Sequence, residues 1–229
     1  MRKIAKTIAV MAMVLPFFNA EADEYGFGDM GGVFNVNESG AAIYTLPFDL
    51  PDGINGLMPS LGLVYNSQSG NGVGGMGVSI YGISVITRTS KDIYHDGIAK
   101  GIGYNDDDVY SIDGVRILQL GQSDFRIENS PADYITKTGS GSTQSFKVNF
   151  QNGNTAYYDY KVSAGVPYAW YLSKVEDALG NIITYSYIVD NGCVYLSSVT
   201  YGQNKNLTSG LNNTISFGYE SRSDANFTL

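Results

Sequence analysis

Apolar and polar residues alternate along most of this chain, and few windows place apolar residues at helical spacing. Turn residues interrupt the alternating runs roughly every ten to fifteen positions, which is typical of antiparallel sandwiches, barrels or wrapped sheets. We therefore predict an all-β fold made of antiparallel sheets. The predicted strands cover residues 41–48, 60–66, 78–87, 108–112, 115–120, 125–128, 134–137, 144–150, 155–161, 170–176, 182–188, 194–201 and 214–219.

The clearest local motif is Asn152-Gly153, which lies between two alternating runs. Residues 145–150 and 155–160 are therefore predicted to form a β-hairpin. The Asn-Gly pair suits a type I′ turn, because both central residues of that turn need a positive φ.

Two stretches resemble linkers. Residues 139–142 read Gly-Ser-Gly-Ser, and residues 203–213 are mostly polar. Both stretches are short, so they favour one continuous unit over separate domains. We predict a single β domain over residues 23–229, with a soft seam near residues 138–143.

The N-terminal segment has the order of a secretory signal peptide. Three basic residues precede the apolar run 8–18, and Ala20-Glu21-Ala22 is a small-x-small cleavage site. We predict that residues 1–22 are removed and that the mature protein, beginning at Asp23, is secreted. The apolar run is shorter than the roughly 20 residues of a transmembrane helix.

The composition narrows the choice of function. Removing residues 1–22 takes away three positive charges and one negative charge, so the net charge of −8 becomes −10. An acidic chain of this kind argues against nucleic-acid or anionic-membrane binding. Cys193 is the single cysteine, so no internal disulfide can form. We predict that Cys193 is a small buried side chain rather than a reactive thiol.

One run of glycines resembles the sequence motif of a nucleotide-binding loop. Gly70, Gly72 and Gly75 match the spacing of a dinucleotide-binding loop and follow a predicted strand. That loop must open a helix whose N-terminus holds the pyrophosphate, whereas residues 78–83 alternate like a strand. We predict a glycine-rich turn and no cofactor.

An acidic cluster is the best candidate for a metal site. Asp106, Asp107 and Asp108, with Asp96 and Asp113 nearby, offer enough oxygen ligands for calcium. Their spacing is not that of an EF-hand loop. We predict a solvated acidic loop and assign no metal ligand, with a bound cation as the alternative.

His95 is the sole histidine and has Asp92 and Asp96 close by. A Ser/His/Asp site also needs a nucleophile on a strained turn, and the chain contains no G-x-S-x-G motif. We predict a surface or turn histidine and name no catalytic residue.

The segment from residue 40 to residue 88 carries a family resemblance. Its prolines, glycines and alternating strand positions follow the order and spacing of the SpvB-type domain, which lies at the N-terminus of insecticidal toxin complex B subunits and related rearrangement hot spot (RHS) proteins. The matching residues are Gly40, Pro47, Pro51, Gly53, Gly56, Pro59, Leu61, Leu63, Tyr65, Asn66, Ser67, Gly70, Asn71, Gly72, Gly75, Gly77, Ile86 and Arg88.

Two later stretches extend the resemblance. Asp113 and Gly114 fall in a family-like L-D-G-x-R-L pattern, and Asp177, Gly180 and Asn181 fall in the strand pair that opens many RHS-type modules. The chain departs from the pattern at two positions. Val78 stands where the family commonly has tryptophan, and Val109 stands where it usually has arginine.

The resemblance implies the opening part of an RHS-type β-shell. The function it implies is a non-enzymatic, exported scaffold module whose partners are the remainder of an RHS or toxin-complex polypeptide, or other toxin-complex subunits. Such a shell would enclose or present a C-terminal toxin segment. The resemblance also implies a chain truncated at its C-terminus, so the strand near residues 215–219 is expected to leave an edge that recruits another chain.

Two other functions stay open at this point. A secreted carbohydrate-binding module would use Trp170 and exposed tyrosines to stack on sugar rings, and coplanar exposed aromatics would favour it. A secreted hydrolase without a recognisable motif is the third hypothesis.

Overall fold

The computed structural model describes residues 31–161, 165–207 and 212–220, so the predicted signal peptide and the mature start at Asp23 lie outside the described residues. Strands dominate this part of the chain, which confirms the all-β prediction. The helical elements are the single turn α1 (Ile93–Asp96) and two short 3₁₀ turns, Ile54–Gly56 and Gly141–Thr143. The strands are β1 (Val33–Val36), β2 (Ala42–Pro47), β3 (Gly62–Asn66), β4 (Asn71–Gly72), β5 (Gly75–Met76), β6 (Val78–Tyr81), β7 (Val85–Thr89), β8 (Val109–Ile112), β9 (Val115–Gln119), β10 (Asp124–Ile127), β11 (Ser130–Thr138), β12 (Ser145–Asn149), β13 (Thr155–Tyr160), β14 (Ala169–Glu176), β15 (Asn181–Asp190), β16 (Cys193–Asn204) and β17 (Asn213–Ser216).

These strands form two antiparallel sheets. The smaller sheet has the order β1-β2-β3-β6-β5-β4. The larger sheet runs β13-β12-β11-β10-β9-β8-β7-β14-β15-β16-β17, and β13 also pairs with β14. That last pairing closes β7 to β14 into an eight-stranded barrel, while β15, β16 and β17 extend the sheet beyond it.

Strand β14 belongs to both the barrel and the extension. Its first half, Ala169 to Tyr171, pairs with β7, and its second half, Lys174 to Glu176, pairs with β15. Its other edge pairs with β13, with register shifts at Tyr157/Tyr158 and Tyr158/Tyr160. Such irregularities bend a strand and increase its local twist, which is what a closing sheet requires.

The barrel is filled by side chains from alternate strand positions. Tyr110, Phe125, Phe146 and Trp170 are buried, and their rings meet edge to face at centroid distances of 5.0 to 6.5 Å. An eight-stranded barrel is just wide enough to be filled in this way. Hence the period-two pattern in the sequence, which places every second residue on one face, is the direct cause of the packed core.

The extension packs its apolar face under the loop that follows β2. Leu196, Val199 and Tyr201 of β16 are buried in the same apolar cluster as Leu61. The hydroxyl of Tyr201 donates to the carbonyl oxygen of Pro51 at 2.8 Å, which ties this loop to the larger sheet.

Most of the predicted strands match the observed ones closely, although β17 ends at Ser216 rather than at residue 219. Residues 78–87 do not form a single strand, because β6 belongs to the smaller sheet and β7 to the barrel. Gly82 separates them with φ of +90°, and a side chain there would collide with the carbonyl oxygen of Ser60. The alternation continues through this break, so the pattern alone hides it. The edge strand β1 was not predicted either.

The hairpin of β12 and β13 is confirmed, but its predicted turn type is wrong. Only Gly153 has a positive φ, of 88°. Phe150 accepts a hydrogen bond from the Gly153 amide at 3.0 Å, and its own amide donates to the carbonyl oxygen of Asn154 at 2.9 Å. This is a three-residue connection in which the glycine forms a bulge, rather than a two-residue type I′ turn.

Cys193 is exposed, so the prediction of a buried cysteine is wrong. The residue is the first of β16 and pairs with Asp190 across a tight turn. Asn191 and Gly192 both have positive φ there, so this is a type I′ turn, which was not predicted. A hairpin end of this kind projects into solvent.

Residues 139–144 connect β11 to β12, which pair directly through Thr138 and Ser145. The stretch that was predicted as a soft seam is therefore a connection within the barrel. Within the described ranges, no helix has the length and apolar character needed to cross a bilayer.

Candidate functional site

Arg88 is the most deeply buried charged group among the described residues and lies inside one end of the barrel. Its side chain is only 1% exposed, and its Nη1 atom is 2.8 Å from Oδ2 of Asp108. Its Nε donates to the carbonyl oxygen of Pro167 and its Nη1 donates to that of Asn105. The guanidinium also lies 5.5 Å from the ring centroids of both Tyr110 and Trp170. Several strands and loops thus converge on one cation.

Asp108 is buried too, which overturns the prediction of a solvated acidic loop at this position. Burial raises the pKa of its carboxyl, but hydrogen bonds from the Gly103 and Asn105 amides and from Arg88 outweigh burial and hold the pKa below 3.8. A buried charge survives when it is paired and hydrogen-bonded, and Asp108 is both. It is therefore a structural anion that fixes the loop before β8.

Two other carboxylates of the acidic cluster, those of Asp107 and Asp96, are paired as well. Asp107 lies 2.6 Å from the ammonium groups of Lys91 and Lys100, and hydrogen bonds from Lys100 and then Lys91 lower the pKa of Asp107 to about 2. Asp96 pairs with Arg116. Within residues 31–161, 165–207 and 212–220, no group of three or more His, Cys, Asp or Glu side chains is placed to hold a metal ion.

His95 lies on α1, and both of its ring nitrogens face carboxylates. Nδ1 is 2.8 Å from Asp92 and Nε2 is 2.9 Å from Glu128. Hydrogen bonding to Glu128, and then to Asp92, raises the pKa of His95 above 6.5. A catalytic base needs a free nitrogen that can take a proton from a nucleophile, and this imidazole has none. Its role is to clamp α1 against the end of β10, and Arg116 adds a contact to Asp92 at 3.2 Å.

This clamp predicts a pH dependence of stability. The pKa of His95 is raised on folding, so its stabilising effect is fully present below pH 6.5 and is lost as the pH rises through the folded pKa. We expect the melting temperature of the wild type to exceed that of His95→Gln at acidic pH, and the difference to shrink above about pH 6.5. Melting curves of both proteins across this range test the clamp. A difference independent of pH would contradict it.

The Asp113-Gly114 motif forms the turn between β8 and β9. Asp113 has φ of 49° and Gly114 has φ of 83°, so the pair makes a type I′ turn. The Asp113 carboxylate accepts a hydrogen bond from the Ser84 hydroxyl at 2.6 Å and from the Val85 amide at 2.8 Å. It therefore fastens the start of β7 to the β8–β9 turn.

The Asp177–Asn181 motif forms the turn between β14 and β15. Asp177 accepts hydrogen bonds from the amides of Leu179 and Asn181 and from the Asn181 side chain, at 2.7 to 2.9 Å. Burial raises the pKa of Asp177, but these hydrogen bonds outweigh it and keep the pKa below 3.8. Gly180 supplies the positive φ of 85°. The motif thus fixes the exit of the chain from the barrel into the extension.

The run of glycines forms a small hairpin of β4 and β5, so the prediction of a glycine-rich turn is confirmed. Gly72 and Gly75 pair across it, and β6 follows where a nucleotide site would need a helix. Gly77 has φ of 75° and its carbonyl oxygen accepts from the Asn66 amide at 2.9 Å. A side chain at Gly77 would press on the Tyr65 ring.

The remaining motif residues also lie in turns or strand ends. Gly40 has φ of 82° in the β1–β2 turn, Pro47 is the last residue of β2, and Pro59 is buried before β3. The predicted motif residues therefore do not meet at one place. They are spread over the smaller sheet, the two ends of the barrel and the β14–β15 turn, so they do not form a common site.

Several important residues were not predicted from the sequence. The Gln144 side chain donates to the Tyr110 hydroxyl at 2.9 Å, and the backbone carbonyl oxygen of Gln144 accepts from the Trp170 indole at 2.8 Å. Buried Tyr158 contacts the Ser84 hydroxyl at 2.8 Å. Alternation indicates that each of Tyr110, Tyr158 and Trp170 is on the apolar face of its own strand, but nothing in the sequence indicates these partners.

The sequence model of one protein family, described as "Salmonella virulence plasmid 65kDa B protein" (SpvB), matches residues 36–151, which is just over half of the chain. Comparison with curated protein sequences gives no match. Among solved structures, that of TcdB2-TccC3-TEV resembles this chain with a TM-score of 0.62 and 18% identity, over 88% of this chain and 12% of that one.

Two further structures are similar. The Photorhabdus luminescens Tc holotoxin pore has a TM-score of 0.54 and 19% identity, over 79% of this chain and 10% of that one. The N-terminal domain of effector protein SpvB from Salmonella typhimurium strain LT2 has a TM-score of 0.50 and 18% identity, and the match covers 72% of this chain and 64% of that one. The chain thus spans only about a tenth of the length of the toxin-complex chains that it matches.

Proposed function

This chain belongs to the SpvB family, and from that membership we propose that it is a non-enzymatic, exported scaffold module of a toxin-complex or RHS-like protein. As a toxin-related β module, it would form part of a β-shell that encloses or presents a toxin segment. Its partners would be the rest of such a polypeptide or other toxin-complex subunits. We propose residues 1–22 as the export signal and residues 23–229 as the β domain.

The observation that carries this proposal is the open extension of the barrel. A barrel that ended at β14 would have no free edge, but here β15, β16 and β17 continue the sheet away from it. In the order of described strands β17 is last, and an edge strand presents unpaired amide and carbonyl groups to another strand. A module that must join a larger shell needs such an edge.

The contacts of the charged and aromatic side chains favour a scaffold function over an enzymatic or a carbohydrate-binding one. Arg88, Asp108 and His95 are engaged in contacts that hold the barrel and its loops together. Trp170 is fully buried, so it cannot stack on a sugar ring. The tyrosines at 160, 171 and 187 pack at angles of 35° to 73° rather than in one plane. These contacts favour the scaffold.

The proposal predicts that the β17 edge binds a partner strand. The Phe217 amide donates inward to Ser197 of β16, and alternate residues of an antiparallel strand face opposite neighbours, so the Ser216 amide faces the free edge. Ser216→Pro removes that donor without disturbing β16, since proline is tolerated on an edge. We expect it to weaken binding to an RHS-repeat polypeptide encoded in the same genome about tenfold or more, or about 1.4 kcal/mol.

Affinity is measured by titration of the purified polypeptide, with Ser216→Ala as the matched control because it keeps the amide. Unchanged melting of Ser216→Pro shows that the fold is intact. Equal binding of the proline and alanine variants, or no binding by the wild type, would contradict the proposal.

A further inference from the structure

The two ends of the barrel differ, and one of them is open. The end that holds Arg88 is plugged by the loop before β8. At the opposite end lies a cavity of about 420 Å³, within the range of small-molecule sites, which are roughly 300–1,000 Å³. Its inner wall is apolar and includes Ile127, Ala156 and Leu172. The mouth of a small barrel is a common place for one small ligand.

Two carboxylates lie on the lining of this cavity. Asp113 comes from the β8–β9 turn and Asp133 from β11, and the lining contains no lysine, arginine or histidine. Among the described residues, neither carboxylate forms an ion pair. At the plugged end, by contrast, Asp107 and Asp108 are each matched by a cation. The open end therefore carries negative charge that the described chain does not neutralise.

Both carboxylates are held in place by the chain itself. Asp133 accepts hydrogen bonds from the Gln151 amide at 2.9 Å and the Ser130 hydroxyl at 2.6 Å. Asp113 accepts from Ser84, whose hydroxyl also contacts Tyr158 at 2.8 Å. Each oxygen of a carboxylate has two lone pairs, so one acceptor position per oxygen stays free for a ligand. The charges are thus preorganised rather than carried on mobile side chains.

From this combination we propose that the open end of the barrel binds a small organic cation, namely an ammonium group on an aliphatic or aromatic body. The apolar body fills the cavity and removes its surface from water. The ammonium group lies at the rim, where Asp113 and Asp133 accept its hydrogen bonds. The site is independent of the scaffold function, because it uses the barrel end opposite Arg88 and not the β17 edge.

Three isosteric probes test the proposal on the full chain. They are 2-phenylethylammonium, the neutral 2-phenylethanol and the anionic 3-phenylpropionate, each titrated by calorimetry and by its shift of the melting temperature. We expect the cation to bind one to one, the alcohol to bind at least about tenfold more weakly, and the anion not to bind at millimolar concentration. Equal responses to all three probes, or none to the cation, would overturn the proposal.

Substitutions distinguish the contribution of the carboxylate charges to binding from that of the apolar cavity. Asp113→Asn removes one charge but keeps an acceptor and tolerates the positive φ of this turn. We expect it to reduce the preference for the cation over the alcohol while leaving the affinity for the alcohol unchanged, and Asp133→Asn to do the same. Ala156→Leu fills the cavity and should weaken binding of both ligands. Asp159→Asn is the matched control for the loss of a carboxylate charge, because Asp159 is exposed on β13, the strand of Ala156, and does not line the cavity. Unchanged binding to Ala156→Leu would refute the assignment.

Discussion

Replacing Arg88 with methionine is expected to lower the free energy of unfolding by about 3–5 kcal/mol, the range for breaking a buried ion pair from one side. The substitution leaves the Asp108 charge buried without its cation and removes the hydrogen bonds that the guanidinium donates to the carbonyl groups of Asn105 and Pro167. The lost contacts with the Tyr110 and Trp170 rings add to the effect. Denaturant unfolding measured by circular dichroism gives the value directly.

Two further variants separate the charge effect from lost packing. Arg88→Met combined with Asp108→Asn removes the stranded charge, so it should be less unstable than the sum of the single variants. Lys100→Met removes one side of the exposed pair with Asp107 and should cost far less than Arg88→Met, because water screens that pair. If Arg88→Met costs as little as Lys100→Met, the barrel end is not organised around Arg88.

Truncating the Trp170 side chain should lower the free energy of unfolding about as much as Arg88→Met does. Trp170→Ala is expected to cost about 3–5 kcal/mol, because it leaves a cavity among Tyr110, Phe146 and Arg88 and removes the hydrogen bond to Gln144. Trp170→Phe should cost less, since it keeps an aromatic ring while losing the indole donor.

Unfolding of the wild-type protein can also be followed by tryptophan fluorescence. Trp170 is the only tryptophan, so its fluorescence and the circular dichroism of the sheets should change together as the barrel unfolds. The alanine variant is followed by circular dichroism alone. A fluorescence transition that precedes the loss of β-structure, or a cost of Trp170→Ala below about 1 kcal/mol, would show that Trp170 is not in the cooperative core.

The sequence predicted the strands well but not how they assemble. Neighbouring side chains of a strand face opposite sides of the sheet, so the alternation of apolar and polar residues marks where a strand lies. This pattern located β8 to β16 within a few residues. It carries no information on which strand pairs with which, and so neither the closure of β13 on β14 nor the break at Gly82 was evident. Closure depends on twist and register over the whole sheet, which no local window records.

The candidate residues were predictable in part. Arg88, Asp113 and Asp177 follow from the family pattern, but their contacts come from residues distant in sequence. Asp108 resembled the rest of an acidic loop, and only the folded chain brings Arg88 from β7 and the Gly103 and Asn105 amides to its carboxylate. Cys193 illustrates the opposite error: an apolar neighbourhood in sequence suggested burial, whereas the type I′ turn at Asn191-Gly192 carries it into solvent.

We propose that this chain contributes a closed barrel, extended to the open edge of β17, to a larger β-shell. Amide hydrogen exchange at single-residue resolution tests it most directly, in the isolated chain and in the complex with an RHS-repeat polypeptide. We predict that the outward amides of Thr214 and Ser216 exchange quickly in the isolated chain and become protected in the complex, while the inward amide of Ile215 is protected in both. A complex in which the Thr214 and Ser216 amides still exchange quickly would contradict this proposal.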